Sequence, residues 1–429
     1  MHIPRISVLT LTCALSSACG SDSISGIKDG QTEITLDFCG LPPEWLAIQN
    51  EGEGWQRVNA GTDGIVKFGA TPKVSLAFAF GDFGFFSTLI LNTTAEELKA
   101  EVPCDQSFGT RTLTATLAGL TGEQAARVTV DGQTASADAA NPSVEFDFLP
   151  STGVDLIALR FASFFSSPAD KVIIRRALIA QNVPIATLDF SAAEAQPLAS
   201  AVLTLANMGS DFAFVTTEFM SSGGALANLS DMSLIGGTTA IAYPAVPSPL
   251  LQQGDLHRLT ATVSSSTGVR EVTHFYRTPS NATITFGPHL GVPTVSQLST
   301  SPYLRLRALL ASQPEYPTAA QFGFSQSSQT EFHSVDILTT AGFHGGAPST
   351  WEFVIPDFVG TGYQSSWGLQ NGMALSWDAT AFNSGSNVLA NAPTDGQTVS
   401  SAVRSSTTSF AEESIRGSRS HVRRSLYRR

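Results

Sequence analysis

Short runs of alternating apolar and polar residues, separated by clusters of turn-forming residues, constrain this chain most. One run places the apolar Ile34, Leu36 and Phe38 between polar neighbours. Because side chains of a strand point alternately to its two faces, this pattern predicts a strand with one buried face. Similar runs recur along the chain, and Asp131-Gly132 is typical of a hairpin turn. The sequence therefore predicts an all-β protein, without a repeat of fixed period.

Composition excludes several other classes of protein. The 429 residues are 42% hydrophobic and only 14% charged, which excludes a highly charged disordered chain. A helical bundle would be richer in Glu, Lys, Arg and Leu at helical spacing. The net charge of −12 disfavours a general nucleic-acid binder, because such a protein needs a basic face.

Turn signals divide the chain into two or three antiparallel β-sandwich domains in tandem, immunoglobulin-like or jelly-roll-like. We expect a small sandwich or barrel over 26–106 and an immunoglobulin-like or fibronectin-like sandwich over 107–194. A larger sandwich over 195–395 is one elaborated domain or two fused ones. Residues 396–429 are rich in Ser and Arg and are predicted to be a disordered tail. A contact of its seven Arg with anionic lipid is the alternative.

The N-terminus has the features of an export signal. Arg5 precedes the apolar stretch Ile6 to Leu15, which is too short to span a bilayer as a helix. Ser16-Ser17-Ala18-Cys19 then resembles the lipobox of bacterial lipoproteins. The resemblance implies cleavage before Cys19 and acyl chains on this residue, which would hold the protein in a membrane of the cell envelope. Residues 1–19 are thus expected to be a signal peptide with its lipobox. The alternative is an ordinary signal peptide that is cleaved after Ala18 or nearby, and a secreted protein.

Two cysteines remain for the mature chain once Cys13 is removed and Cys19 is acylated. In an oxidising compartment, Cys39 and Cys104 are predicted to form a disulfide, which would contribute about 4 kcal/mol. The alternative is two free thiols. A zinc site is disfavoured because two cysteines alone do not complete its ligand shell.

A stretch beside the first of these cysteines resembles predicted bacterial surface lipoproteins of unknown role. It runs from Phe38 to Trp55 and reads FCGLPPEWLAIQNEGEGW. This resemblance covers a small part of the chain and implies no activity.

Polar residues with catalytic potential are scattered rather than arranged in a known motif. Asp255, His257, His274 and His344 would form an acid–base or metal cluster only if the fold brought them together. The segment Gly342 to Gly346 resembles the oxyanion-hole loop of some lipases, but no nucleophile elbow accompanies it. Three carboxylates, Glu352, Asp357 and Asp378, could include a glycosidase pair, and the distance between them would decide that chemistry.

Aromatic residues concentrate near the C-terminal end of the last unit. Trp351, Tyr363, Trp367 and Trp377 are either core residues or a platform on which sugar rings could stack. The sequence thus favours an exported, lipid-anchored envelope protein with a non-enzymatic binding or structural role and no cofactor. Its expected partners are the membrane and a glycan or protein of the envelope. The alternatives are a polysaccharide or ester hydrolase, or a carbohydrate-binding module.

Overall fold

The computed structural model describes residues 27–38, 42–59, 61, 64–99, 111–149, 153–178, 187–234, 240–385, 387–389 and 393–408. These residues are almost entirely β, which confirms the predicted fold class. The helices within these ranges are α1 (Ala95–Leu98), α2 (Ala341–His344) and two 3₁₀ turns, Ser248–Leu250 and Ser365–Trp367.

Strands β1 to β10 lie in the first third of the chain. They are β1 (Thr32–Asp37), β2 (Trp45–Asn50), β3 (Gln56–Val58), β4 (Ile65–Ala70), β5 (Lys73–Asp82), β6 (Phe85–Thr94), β7 (Arg111–Ala118), β8 (Ala125–Val130), β9 (Gln133–Asp138) and β10 (Ser143–Leu149).

Strands β11 to β20 follow. They are β11 (Val154–Phe161), β12 (Lys171–Leu178), β13 (Leu188–Asp189), β14 (Gln196–Pro197), β15 (Ala199–Ala206), β16 (Phe212–Met220), β17 (Leu226–Leu234), β18 (Ala240–Ala245), β19 (Leu256–Ser265) and β20 (Gly268–Tyr276).

The remaining strands complete the described chain. They are β21 (Ala282–Thr285), β22 (Thr294–Ser299), β23 (Arg305–Ala311), β24 (Ala319–Ser327), β25 (Phe332–Thr340), β26 (Thr350–Val354), β27 (Leu375–Ser384) and β28 (Thr398–Thr408).

Several local predictions hold. Asp131 and Gly132 both have positive φ and join β8 to β9 in a two-residue hairpin. The spacing Thr94-x-x-Glu97 predicts a capping box at the start of a short helix, and α1 has one. Thr94 accepts a hydrogen bond from the backbone N–H of Glu97, whose side chain accepts one from the backbone N–H of Thr94.

One sheet of twelve strands organises the molecule, in the order β17-β16-β19-β20-β28-β27-β24-β25-β6-β5-β2-β3. Strands of the segment predicted as a separate unit, 26–106, therefore continue the sheet of residues 195–408. The junction is the parallel pair β6 and β25, in which Phe85 lies opposite Phe332 and Asn92 opposite Thr339. No tight turn links parallel neighbours, so no local sequence signal marks this junction.

Smaller sheets pack against other sheets and bury apolar clusters between them. The sheet β22-β23-β26 buries Leu306 and Trp351 with Phe322 of β24. Likewise β1 and β4 cover β2 and β5, and β18-β15-β21 covers β16 and β19. The sheets β10-β7-β13 and β14-β12-β11-β8-β9 enclose a core of their own, from Leu113 to Ala195. The sheets thus pack face to face in layers, as they do in β-sandwiches.

The start of the predicted disordered tail, 396–429, needs a correction. Thr398–Thr408 form β28, an interior strand of the twelve-stranded sheet that pairs with both β20 and β27. The sequence did not predict this strand because its composition is rich in Ser and Thr. It still forms, since Thr and Val have high strand propensity and the hydrogen bonds between strands use only backbone groups. Residues 409–429 lie outside the described ranges.

The predicted disulfide and lipidation sites also lie outside the described residues. Cys19, Cys39 and Cys104 are among them, so the acylation of Cys19 and the pairing of Cys39 with Cys104 stay predictions.

A buried ion-pair network joins the second unit to the large sheet. The Arg176 guanidinium on β12 donates to Asp155 Oδ2 on β11 at 2.8 Å. It also donates to both carboxylate oxygens of Asp255, just before β19, at 3.1 and 2.6 Å. Burial raises the pKa of Asp155, but hydrogen bonds from Ala177 and Arg176 outweigh it and lower the pKa below its ordinary value.

Candidate functional site

The aromatic residues proposed as a ligand platform are core residues instead. Trp351, Trp367 and Trp377 are buried, and Tyr363 packs against the same cluster. Trp351 on β26 and Trp377 on β27 point to the inner faces of two sheets that pack together. Of the two alternatives, the core one therefore holds. Strand alternation places Trp351 and Trp377 inside, and the turns before β27 place Tyr363 and Trp367 against the same cluster.

The proposed acid–base residues are not assembled into one site. Asp255 is engaged by Arg176, and His344 ends α2 with its ring against Trp351. His257 and His274 both stack on Tyr276, with ring centroids 4.9 and 5.8 Å away. Asp255, His257 and His274 therefore lie in one region, but each is engaged by Arg176, by backbone groups or by Thr398. His344 lies elsewhere, so the four residues form no acid–base site.

His257 shows why this histidine is structural. Its Nε2 accepts a hydrogen bond from the backbone N–H of Val246 at 2.9 Å, and Nδ1 lies 3.1 Å from the carbonyl oxygen of Arg277. Burial lowers the pKa of His257 to about 4. The imidazole is therefore neutral at pH 7, with both ring nitrogens occupied by backbone groups.

Of the three predicted carboxylates, one lies in a groove. Glu352 forms an ion pair with Arg307, and Asp357 forms one with Arg305. Asp378 instead faces Asp336, a residue that the sequence did not single out. We call the depression around these two aspartates the carboxylate groove.

Strand register creates the floor of the carboxylate groove. Gly323 on β24 lies directly opposite Asp336 on β25 and Asp378 on β27. A Cβ at position 323 would lie 2.7 Å from Asp378 Oδ1 and 2.8 Å from Asp336 Oδ1. The two carboxyl groups thus converge over the glycine, and any side chain at position 323 would occupy their space.

Burial shifts both carboxyl groups in the same direction. Burial and then the neighbouring Asp378 raise the pKa of Asp336 to about 7, although hydrogen bonding to Gln321 and Ser334 opposes the shift. Burial raises the pKa of Asp378 to about 6. At pH 7 Asp336 is therefore partly protonated and Asp378 mostly ionised, so the pair carries negative charge but can donate as well as accept hydrogen bonds.

Aromatic rings form the walls of the carboxylate groove. Phe80 and Phe85 come from the hairpin β5–β6, and Phe332 begins β25. The rings of Phe85 and Phe332 lie 6.2 Å apart, and Phe85 is 51% exposed. With the polar Gln321, Ser325 and Ser334 in its lining, the groove encloses about 450 Å³.

Charge in the carboxylate groove is entirely acidic. Of the described residues, Asp82 joins Asp336 and Asp378 in the lining, and no Lys or Arg does. Within the described ranges, no group of three or more His, Cys, Asp or Glu side chains is arranged to hold a metal ion. The geometry supports recognition of a ligand with rings and hydrogen-bonding groups.

The sequence indicated Asp378 as a candidate site residue, but not Gly323 or Asp336. A glycine inside an apolar strand can signal a close approach of other groups, and this was the only local signal. The pairing of β24 with both β25 and β27 was needed to bring the three residues together.

Comparison with known proteins gives no further assignment, since neither a protein-family model nor a curated protein matches the chain. Among the residues that the structure describes, no helix is long and apolar enough to cross a membrane.

Proposed function

We propose that this chain is a non-enzymatic binding protein of the cell envelope and that its carboxylate groove binds a glycan. The observation that carries the proposal is the combination of partly exposed Phe rings with a polar floor in one open groove. Apolar faces of sugar rings stack on aromatic side chains, while sugar hydroxyls need both donors and acceptors.

The floor of the groove supplies such groups. Gln321 carries an amide, Ser325 and Ser334 carry hydroxyls, and the partly protonated aspartate pair can donate as well as accept near neutral pH. The acidic lining disfavours phosphorylated or sulfated ligands, because like charges repel at short range. A glycan without anionic groups is the ligand class that this chemistry fits.

The first test removes one wall of the groove. Phe85→Ala is expected to weaken glycan binding about fivefold, because an aromatic contact contributes about 1 kcal/mol and about 1.4 kcal/mol corresponds to a factor of ten. Calorimetry of the full chain with neutral and amino-sugar oligosaccharides would measure this change.

Phe165→Ala is the matched control, because Phe165 is 100% exposed but lies outside the groove. It should leave binding unchanged. Equal losses in the two variants, or no binding of any oligosaccharide by the parent chain, would overturn the proposed glycan site.

A glycosidase is the second candidate, and the convergence of two carboxyl groups with raised pKa favours it. One protonated aspartate would act as general acid and the other as nucleophile or base. New reducing ends released from the same oligosaccharides, and lost in Asp378→Asn, would establish this activity in place of simple binding.

We also propose that the protein is exported and held in the envelope by acyl chains on Cys19. The support is the sequence of the N-terminus: Arg5, the apolar stretch from Ile6 to Leu15, and the small residues before Cys19. Two or more acyl chains would make the anchor stable, whereas one would be marginal.

Mass analysis of the mature protein from a bacterial host would test the anchor. We expect an N-terminal peptide that begins at an acylated Cys19, because the thiol is the group that the lipid modification requires. Cys19→Ser should move the protein from the membrane fraction to the soluble fraction. An unmodified N-terminus that begins after Ala18 would contradict the proposal and leave simple secretion.

A further inference from the structure

We infer that the carboxylate groove recognises a protonated amine on its ligand, held between Asp336 and Asp378 over Gly323. The corresponding glycan is one with unacetylated amino sugars. This inference rests on the proposed glycan-binding function and specifies the ligand class of the same groove.

The carboxyl groups of the groove have no positive charge to balance them among the described residues. Asp336 and Asp378 converge over one residue, and Asp82 adds a third carboxyl group to the lining. Among the residues that the structure describes, no basic group contributes to the pKa shift of either converging aspartate. Two close carboxylates repel each other, so a cation placed between them relieves that repulsion.

Neighbouring strands offer no alternative cation among the described residues. β24 and β6 carry no charged residue, and Asp378 is the only one on β27. On β25, His333 is three residues from Asp336 and therefore points to the opposite face of the sheet, where its ring stacks on Phe86. On β28, Arg404 lies opposite Ala379 and donates to the carbonyl oxygen of Leu290, away from the groove face.

The aromatic walls of the groove also favour an organic cation. Phe85 and Phe332 flank the acidic floor, and aromatic faces attract organic cations as well as sugar rings. An ammonium group has three donors and no acceptor, which matches carboxylates that only accept when ionised. An amino sugar combines this group with a ring that can stack on the walls.

The test compares a glucosamine oligomer with its N-acetylated counterpart on the full chain at pH 7. We expect the free-amine oligomer to bind about tenfold more tightly or better, because hydrogen bonds between charged groups are the stronger ones. This preference should disappear at pH 5, where the aspartates are protonated. Asp336→Asn and Asp378→Asn should remove the preference, because the amide side chain still forms hydrogen bonds but carries no negative charge.

Glu352→Gln, which removes an exposed carboxylate from another sheet, is the control and should keep the preference. If both oligomers bind equally and Phe85→Ala weakens both, the amine inference is overturned and the glycan site stands. If neither oligomer binds, the proposed function fails and the inference fails with it. Spermidine binding as tightly as the glucosamine oligomer would keep the amine subsite but overturn glycan recognition.

Discussion

Replacing Arg176 with Met should lower the free energy of unfolding by about 3–5 kcal/mol. The substitution leaves two carboxylates without their cation in a buried site, since the side chains of Asp155 and Asp255 are 6% and 0% exposed. Backbone N–H groups of Ala177, Ser222 and Gln252 still donate to them, but these bonds do not replace a positive charge. Equilibrium unfolding in urea, followed by circular dichroism, would measure the loss.

An exposed ion pair provides the control for this substitution. Arg307 and Glu352 lie 2.7 Å apart, with side chains 42% and 48% exposed. Arg307→Met should therefore cost less than about 1 kcal/mol, because solvent screens exposed pairs. Losses of the same size in both variants would show that the buried network joining the two parts of the fold has no special role.

The second large effect is a gain in the free energy of unfolding. At pH 8, Asp336→Asn and Asp378→Asn should each raise the free energy of unfolding by about 1–3 kcal/mol. The pKa values of about 7 and 6 in the folded chain lie above the ordinary value of 3.8. These groups therefore favour folding below about pH 4, and that contribution is lost as the pH rises through 6 and 7. The gain from Asn should disappear at pH 4.5.

Urea unfolding followed by tryptophan fluorescence at pH 4.5 and pH 8 would test this prediction, since Trp351 and Trp377 lie in the core on the other side of β24 and β27 from the groove. Asp357→Asn is the control, because this carboxylate is half-exposed and paired with Arg305. It should give no gain at pH 8. A loss of stability at pH 8 in both groove variants would contradict the raised pKa values. A gain would show that the groove retains its carboxylates at the expense of stability, as binding sites often do.

Much of the fold could be predicted from local patterns. Apolar alternation identified most strands, Asp131-Gly132 identified a hairpin, and Thr94 with Glu97 identified the start of α1. These features depend on residues close together in the chain. The strand Thr398–Thr408 was missed because its Ser and Thr side chains are common in loops as well as in strands.

Local sequence patterns were enough to predict the all-β class, the position of many turns and the export signal that we expect at the N-terminus. Tertiary structure alone decided that β6 joins β25, that the C-terminal Trp rings are buried, and that Asp336 and Asp378 meet over Gly323. The difference lies in how far apart in the chain the interacting residues are. Side-chain alternation and turn conformation are local properties, whereas strand partners and register depend on packing between residues far apart in the chain.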